Sequence, residues 1–532
     1  MPPRQLRSYL RHASDFRKSR AAARMDRGTV VPRRSLAQRS GPARASGFLL
    51  RCLAMSETEM QRGASAGAPD PKAIIEREEG LRQDLSPWQV AMIGLGSSIG
   101  TGLFLGSAIS VKLAGPAVIL SFVGAACIAV TMMWALAEMA AAHPAAGSFG
   151  LYAEMYLHPW AGFAVRLTYW VCMMVVVGSE VVAASIYCKF WFPETPSWVW
   201  IGLFSLVILC VNSTSIGSLG TVEYWLSMIK VVTIVAFLML GTALLSGVGF
   251  PKVGFASYTA HGGFLPNGWK GVGLGVVLGL FSFFGIEVVG STAGEAADPS
   301  VAVPKAMRRT LAALALFYVA GLTVVVGIVP WTRIGLGESP FVRVFQTVGI
   351  PAASHIMNFV VLTAALSSAV ANLYFAARLA FSLARGGYLP AAVGRLSGKN
   401  MPVVAVLASA GGMVAALVLS EYFKDSLFVF MIGLSTFGAL FAWLITLLTH
   451  VAFRRSHKRL ARPYLQLGPP GPWASLLGLA GLVAVMVSTW WVPGFRITLR
   501  AGAPWLAFIT VCYFAWRKVR SSRPVEGGPH DG

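Results

Sequence analysis

The amino-acid sequence predicts an all-α polytopic membrane protein with about twelve transmembrane helices. Of its 532 residues, 55% are apolar and only 12% are charged, and its mean hydropathy is +0.65. Soluble proteins carry about 25% charged residues. A soluble core of this length with so few charges is not credible, so we expect most of the chain to cross a lipid bilayer.

Twelve apolar segments have the length that a bilayer-spanning helix needs, about 20 residues. We place them at 88–110, 115–140, 160–189, 197–215, 222–246, 270–294, 310–331, 351–384, 402–420, 427–452, 473–493 and 503–517. The predicted parts of the chain are a basic cytoplasmic tail over 1–84, a first set of five spans over 85–249, a second set of five over 250–455, two more spans over 456–517 and a cytoplasmic tail over 518–532.

Half of the positive net charge of +22 lies in the N-terminal segment. Residues 1–54 hold 13 Lys and Arg against Asp15 and Asp26. We expect a disordered cytoplasmic tail, although a transit peptide shares the Arg-rich composition, and a nucleic-acid-binding arm would need a motif that this segment lacks. A further hypothesis is that translation starts at Met55, so that residues 1–54 do not belong to the protein.

The loops on the two sides of the predicted bundle differ in basic residues. With the N-terminus inside, the cytoplasmic loops and C-terminal tail hold 15 Lys and Arg, and the outside loops hold nine. Cytoplasmic loops of membrane proteins carry an excess of these residues. We therefore predict that both termini lie in the cytoplasm.

Several classes of function are not indicated by the sequence. The six cysteines are scattered without a CxxC or Cys/His spacing, so we expect neither a metal site nor a disulfide framework. The sequence shows no arrangement of a nucleophile and a base that would suggest an enzyme. A channel would show a charge ring or filter repeated across its subunits, and none is visible.

Glycines interrupt two of the predicted spans. The first break lies within Gly94–Gly102 in span one, and the second within Phe281–Gly290 in span six. A glycine in a helix interior costs about 1 kcal/mol, and backbone freed inside a bilayer must line a buried site or a wet cavity. Two broken spans five spans apart have the geometry of inverted repeats and indicate a transporter's substrate site. The alternative is close helix packing through small residues.

The first break predicts a site for a zwitterion. Unwinding at Ser98–Gly102 would leave the N–H groups of Gly100, Thr101 and Gly102 at the N-terminus of a half-helix. Such a terminus favours an anion, and the carbonyls on the other side of the break favour a cation. A carboxylate and an ammonium a few ångström apart fit both ends.

Three ionisable residues lie deep in predicted spans, namely Glu180, Lys230 and Glu287. A charge at a helix centre costs about 2.5–3.5 kcal/mol on insertion scales, so such a residue is normally paired, protonated or functional. Lys230 could be a fixed cation or a proton carrier, and the alternative is a structural ion pair among these residues. Glu138, Glu223 and Glu295 lie near span ends, where we expect solvation at the membrane interface.

Aromatic residues flank the second break. Phe281, Phe283 and Phe284 could form the wall of the site and gate it. Simple packing in the core or against lipid is the alternative for each ring.

Several motif blocks follow one another between about residues 85 and 465. They are Ile99–Gly106, Ala114–Ala117, Ala137–Ala140, Glu223–Trp225, Ile229–Val231 and Phe284–Gly290. In this order they resemble the amino-acid permeases of the amino acid–polyamine–organocation (APC) superfamily, in particular its amino-acid-transporter branch. The chain departs from the family pattern at Leu219–Thr221, where relatives commonly have Phe-Gly-Glu.

The resemblance implies a leucine-transporter-type fold with two inverted five-helix repeats and two extra helices. It implies that backbone amides from Ile99 to Gly102 hold the substrate carboxylate. It also implies that carbonyls near Ser97, Ser98, Phe281 and Phe284 meet the substrate ammonium.

The resemblance also implies how transport is driven. A span-five lysine of related permeases takes the place of a sodium ion, and Lys230 matches its position. We expect import of an α-amino acid with protons, without sodium or an organic cofactor, by alternating access across the cell (inner) membrane. Lys230, Glu287 and Glu180 are the predicted coupling residues. The expected partners are the amino acid and the lipid bilayer, with no nucleic acid.

Two alternatives remain within the same family resemblance. One is an obligate amino-acid exchanger, and the other is an amino-acid sensor that has lost transport. The sequence leaves the identity of the amino acid and the oligomeric state open.

Overall fold

The structure is a computed structural model. It describes residues 87–143, 148–214, 216–248, 254–291, 299–398, 401–423, 426–456 and 473–521. The predicted tail over 1–84 lies outside the described residues, as does the predicted C-terminal tail from residue 522 onward.

The described residues form seventeen α-helices and no β-strand. The helices are α1 (Pro87–Ser98), α2 (Ser107–Ala114), α3 (Val118–Ala142), α4 (Ser148–Tyr156), α5 (Pro159–Lys189), α6 (Ser197–Asn212), α7 (Ile216–Ser246), α8 (Gly268–Phe283), α9 (Val288–Ser291), α10 (Pro299–Ile328), α11 (Pro340–Thr347), α12 (Pro351–Arg385), α13 (Val403–Ser409), α14 (Gly411–Phe423), α15 (Leu427–Ser456), α16 (Trp473–Ser488) and α17 (Arg496–Ser521).

Local sequence signals mark the start of the two longest buried helices. Pro159 and Pro351 occupy the first turns of α5 and α12, where the missing N–H of proline has no helical partner to lose. The ring of His158 accepts the N–H of Trp160 at 3.0 Å and so caps the start of α5.

Ten helical stretches among the described residues are long and apolar enough to cross a membrane. The first of them, Trp88–Ala142, contains α1, α2 and α3, with a turn at Gly115–Ala117 before α3. Helix α6 is apolar but shorter. These stretches confirm the all-α polytopic architecture, while the count of twelve spans stays a prediction.

Helices α5, α12 and α15 form the centre of the bundle. Helix α5 packs along both α12 and α15, α1 lies against α7, α10 and α12, and α8 lies against α2 and α3. The peripheral helices α6, α7, α14, α16 and α17 expose large apolar side chains, for example Leu206, Met239, Val418, Leu477 and Val511. Extensive exposed apolar surface is rare in soluble proteins, and a lipid-facing surface requires it.

Helices α5 and α14 cross at two glycines. A Cβ atom at Gly412 would lie 1.7 Å from the carbonyl oxygen of Met174, and one at Gly178 would lie 2.5 Å from the carbonyl oxygen of Gly412. The two backbones are therefore in direct contact, a packing mode that small residues allow between membrane helices.

The substitution Gly412→Ala should destabilise the protein. The added methyl group meets backbone atoms, which no side-chain rotation can relieve, and overpacking of this kind costs about 1–3 kcal/mol. We expect a lower melting temperature of the purified protein in detergent. Gly202→Ala on α6 is the control, because its Cβ atom would meet only Leu417 at 4.0 Å. Equal melting temperatures for the two variants would contradict this crossing.

Candidate functional site

The first helix break separates α1 from a π-helical turn over Gly102–Gly106. Helix α1 ends at Ser98, Ile99 and Gly100 are not helical, and helical geometry resumes at Thr101. The Gly100 N–H donates to the carbonyl of Ser98 at 3.0 Å. The break thus lies inside the segment that the glycine motif indicates.

The second break separates α8 from α9. Phe284 is extended, with φ −63° and ψ 145°, and Gly285 has a φ of +101°. A Cβ atom at Gly285 would also lie 2.8 Å from the carbonyl oxygen of Ser97. Glycine suits this position for two reasons, its left-handed conformation and its close approach to the first break.

Hydrogen bonds join the two breaks into one site. The Ser97 hydroxyl donates to the carbonyl of Gly285 at 2.8 Å. The buried Tyr318 hydroxyl on α10 lies 2.7 Å from the carbonyl oxygen of Ser98 and 2.9 Å from that of Ser282. Because a phenol has one proton, Tyr318 can donate to only one of these carbonyls at a time, so it links the two breaks without saturating both.

Lys230 bonds the carbonyls at the first break. Its Nζ atom donates to the carbonyl of Gly96 at 2.7 Å and to that of Ile99 at 3.1 Å, and the residue is fully buried. Among the described residues, the structure shows no ion pair of Lys230 with Glu180 or Glu287. The amino group of Lys230 therefore lies on the carbonyl side of the break.

Glu180 occupies the amide side of the same break. Its carboxylate accepts the N–H of Thr101 at 3.3 Å. The Ser368 hydroxyl lies 2.9 Å from the Glu180 Oε1 and 3.0 Å from the carbonyl oxygen of Ser97, and its one proton can be donated to only one of them at a time. A Cβ atom at Gly100 would lie 2.5 Å from the Ser368 Oγ and 2.7 Å from the Glu180 Oε1. A carboxylate of the protein itself thus binds one of the amides that the family resemblance assigns to the substrate carboxylate.

Glu287 lies beside the second break. One carboxylate oxygen accepts the N–H of Gly285 at 3.2 Å, and the other is buried with no hydrogen-bond partner among the described residues. A buried carboxylate with one unbonded oxygen is costly unless it binds a proton or a further donor.

The three predicted aromatic residues divide into two roles. Phe281 and Phe284 pack edge to face with ring centroids 6.0 Å apart, and Phe284 also packs on Trp443 at 5.0 Å. Phe283 is fully buried and packs on the ring of Tyr318 at 5.0 Å. Phe281 and Phe284 thus pack with Trp443 at the second break, and a role in lining the site stays a prediction, while Phe283 supports the tyrosine that joins the two breaks.

Glu223 was expected to be solvated at the membrane interface, and this expectation is wrong. Helix α7 begins seven residues before it, so Glu223 lies about two turns inside the helix and is fully buried. Its carboxylate accepts the hydroxyl of Ser367 at 2.8 Å. Glu223, Ser227 and Lys230 share one helix face at i, i+4 and i+7, a spacing that could have revealed the cluster.

Glu138, which was also expected near a span end, forms an ion pair with Arg454 and a hydrogen bond with His450, and Glu295 lies outside the described residues. Glu138 lies 2.8 Å from the Nε2 of His450, and its side chain is 17% exposed. No group of three His, Cys, Asp or Glu side chains among the described residues could hold a metal ion.

Residues 89–522 match the Amino acid permease family. The chain belongs to this family. It is 37% identical to the uncharacterized amino acid permease YtnA of Bacillus subtilis over 82% of this chain and 96% of that protein. It is 34% identical to the gamma-aminobutyric acid permease of B. subtilis, covering 85% and 97%. It is 36% identical to the aromatic amino acid transport protein AroP of Escherichia coli K12, covering 82% and 95%.

Family membership confirms the resemblance predicted from the motif blocks. The protein is a multi-pass membrane transporter of amino acids and not an enzyme. The fold is also that of the Eremococcus coleocola manganese transporter, with a TM-score of 0.52 and 11% identity over 86% of this chain and 97% of that one. At this identity the likeness concerns the fold alone.

The substitution Gly100→Ala should abolish or strongly reduce uptake without loss of membrane insertion. The new methyl group would displace Ser368 or Glu180, and 1.4 kcal/mol of overpacking corresponds to about a tenfold loss. Gly106→Ala is the matched control, because its Cβ atom would meet only the Thr101 carbonyl at 3.5 Å. Uptake per inserted transporter measures the effect. Equal uptake by the two variants would indicate that the glycine motif serves helix packing and not substrate binding.

Proposed function

We propose that this permease imports an α-amino acid together with protons, without sodium, by alternating access across the cell (inner) membrane. The observation that carries the proposal is the ammonium of Lys230 on the carbonyls of Gly96 and Ile99. A tethered cation already bonds the oxygens that the broken helix exposes, so a sodium ion is not required there. Two carboxyl groups, those of Glu180 and Glu223, lie beside the same break and can carry a proton.

The proposed topology has twelve spans, two inverted repeats of five, and both termini in the cytoplasm. The 55-residue stretch Trp88–Ala142 contains a turn before α3 and accounts for two spans, and the shorter α6 accounts for one more. The two breaks then open corresponding helices of the two repeats. The basic residues of the predicted cytoplasmic loops support the orientation.

The proposed substrate pose places the zwitterion across the first break. The carboxylate binds the amides from Ile99 to Gly102, where the half-helix terminus favours an anion. The ammonium binds carbonyls of Ser97, Ser98, Phe281 and Phe284. The carbonyl oxygen of Ser98 already accepts a hydrogen bond from the Tyr318 hydroxyl, so the substrate ammonium would bind this oxygen beside the hydroxyl or displace it.

Proton coupling follows from a competition at one amide. Glu180 accepts the Thr101 N–H, which is also a proposed donor to the substrate carboxylate. Two like charges a few ångström apart destabilise each other. A proton on Glu180 removes the like-charge repulsion and weakens the hydrogen bond to the amide, so that the substrate carboxylate binds together with a proton.

The charge balance at the break supports the same conclusion. One buried ammonium, Lys230, lies near two buried carboxyl groups, Glu180 and Glu223. Leaving a net negative charge inside the membrane is unfavourable. One of the two carboxyl groups therefore holds a proton when no other cation is bound, and Glu287 provides a further proton site at the second break.

The substitution Lys230→Ala should abolish accumulation driven by a proton gradient but leave exchange measurable. Removing the ammonium leaves two carbonyls unbonded and changes the charge balance at the break. The test is uptake and counterflow in proteoliposomes with an imposed pH gradient. Lys270→Ala, an exposed lysine in the first turn of α8, is the control. Full accumulation by Lys230→Ala would refute the proposed role.

The substitution Glu180→Gln should remove the pH dependence of substrate affinity. In the unaltered protein, affinity should fall by up to about tenfold per pH unit as the pH rises, because ionised Glu180 then competes for the Thr101 amide. A neutral glutamine cannot titrate, so its affinity should stay constant. Binding measured between pH 5 and pH 9 tests this, with the exposed Glu194→Gln as the control. An unchanged slope in Glu180→Gln would assign the proton elsewhere.

Uptake of a panel of radiolabelled amino acids, at two pH values and with or without sodium, tests the function as a whole. The panel includes aromatic amino acids and 4-aminobutyrate, because two relatives are named for transporting them. Accumulation at low external pH without sodium is the expected result. Counterflow without any pH-driven accumulation would indicate an exchanger instead, and absence of both would indicate a sensor.

A further inference from the structure

A cavity of about 190 Å³ lies between α5, α12 and α17. Its lining comes from the start of α5, the end of α12 with the loop after it, and the later part of α17, and includes Phe163, Leu167, Leu383, Tyr388, Cys512 and Trp516. Each of the three helices is long and apolar enough to cross a membrane. The cavity therefore lies at one face of the membrane, where α5 begins and α12 and α17 end, and it shares no residue with the two helix breaks.

Four aromatic rings form one wall of the cavity. Phe163 packs on Tyr388 with ring centroids 4.9 Å apart and on Tyr513 at 5.4 Å, and Trp516 packs on Tyr388 at 4.7 Å. The indole N–H of Trp516 donates to the carbonyl of Gly387 at 3.1 Å and joins the end of α17 to the loop after α12. Trp and Tyr are enriched where a membrane protein meets the interface between lipid and water, and this wall has that composition.

The lining suits an alkyl chain. None of the lining residues is charged, and Leu167, Leu383 and Leu389 supply aliphatic surface. A polar ligand would lose hydrogen bonds to water that this lining cannot replace, whereas an alkyl chain loses none and gains close packing. The volume is below the roughly 300–1,000 Å³ of sites that enclose a drug-sized ligand, so the cavity fits a segment of a chain and not a whole lipid.

Two arginines flank the cavity at the same membrane face. Arg385 is the last residue of α12, two residues after Leu383, and Arg517 follows Tyr513 by one turn on the same face of α17. Both are exposed, and the structure shows no ion pair for either within the residues that it describes. The guanidinium of Arg385 lies over the ring of Phe381 at 5.0 Å, which leaves its charge uncompensated. Cations at a membrane surface attract anionic lipid headgroups.

One buried carboxylate interacts with the aromatic wall, but its charge is already compensated. Glu154 on α4 acts electrostatically on Tyr513 and forms an ion pair with the fully buried Arg166. The Arg166 guanidinium also lies 5.8 Å from the ring centroid of Tyr388. Because this pair is neutral as a whole, the positive charge of the two exposed arginines remains.

We propose that this cavity binds one acyl chain of an anionic glycerophospholipid, whose phosphate lies between Arg385 and Arg517. The bilayer supplies acyl chains at this depth, the lining is apolar where the chain lies, and cations flank it where the headgroup lies. The bound lipid joins the peripheral helix α17 to α5 and α12, the two helices that carry Glu180 and Ser368 at the first break.

Lipid binding to the purified full-length protein tests the acyl-chain site. The protein is stripped of lipid and titrated with phosphatidylglycerol, and native mass spectrometry counts the bound molecules. Cys512→Trp fills the cavity, whereas Cys512→Ser keeps its volume. The unaltered protein and Cys512→Ser should each hold one tightly bound molecule per chain, and Cys512→Trp should bind it about tenfold more weakly or less. The melting temperature should rise with phosphatidylglycerol only in the two proteins that bind it.

A second pair of variants tests the headgroup contact and leaves the apolar lining intact. The unaltered protein should bind phosphatidylglycerol about tenfold more tightly than the zwitterionic phosphatidylcholine. Arg385→Gln combined with Arg517→Gln should bind the two lipids about equally. Arg496→Gln combined with Arg500→Gln removes two exposed arginines from the opposite end of α17, so this control should keep the preference. These variants test the proposal even if Cys512→Trp fails to fold.

Four outcomes overturn the lipid site. Two are equal binding of phosphatidylglycerol by both Cys512 variants and an equal lipid preference in both arginine double variants. The third is a particle of two chains that Cys512→Trp separates, which would assign the cavity to a second copy. The fourth is binding that begins only after residues 522–532 are deleted, which would assign it to the C-terminal tail. None of these measurements involves transport, so failure of amino-acid import is a separate result.

Discussion

Backbone groups that leave a helix inside a bilayer must find partners within the protein, and this requirement organises the centre of the permease. Lys230 bonds two carbonyls of the first break, Tyr318 links a carbonyl of each break, and Glu180 takes an amide. Each partner comes from a different helix, namely α7, α10 and α5. These contacts at the first break therefore stabilise the packing of three helices, and the three helices supply the partners that the unwound backbone requires.

Close approach explains the glycines better than flexibility does. At Gly100 a methyl group would enter the space of Ser368 and Glu180, and at Gly285 it would meet the Ser97 carbonyl. Gly106 belongs to the same motif, but a methyl group there would meet only the Thr101 carbonyl oxygen, at an ordinary contact distance of 3.5 Å. The motif thus contains glycines of two kinds, and only the three-dimensional neighbours distinguish them.

Much of the fold and part of the site follow from the sequence alone. The all-helical membrane architecture, the positions of both breaks and the burial of Lys230 are visible as apolar length, glycine spacing and an isolated charge. Tyr318 and Ser368 are not, because each is an ordinary polar residue in an apolar span whose importance arises from contacts with a distant segment. The burial of Glu223 was not predicted because the fifth span was predicted to start at residue 222, whereas α7 starts at Ile216. An error of about two turns in a helix boundary makes a buried carboxyl group look like one at the membrane interface.

In the mechanism that we propose, coupling needs no group beyond these contacts. The first break offers few donors and acceptors, so a bound cation would compete with Lys230 for carbonyls and a bound anion would compete with Glu180 for the Thr101 amide. Lys230 is covalently attached and stays at the carbonyls, whereas a protonated Glu180 holds the amide more weakly than a charged one does. Under this proposal the substrate carboxylate binds best when Glu180 is neutral, and the proton that neutralises Glu180 travels with the substrate.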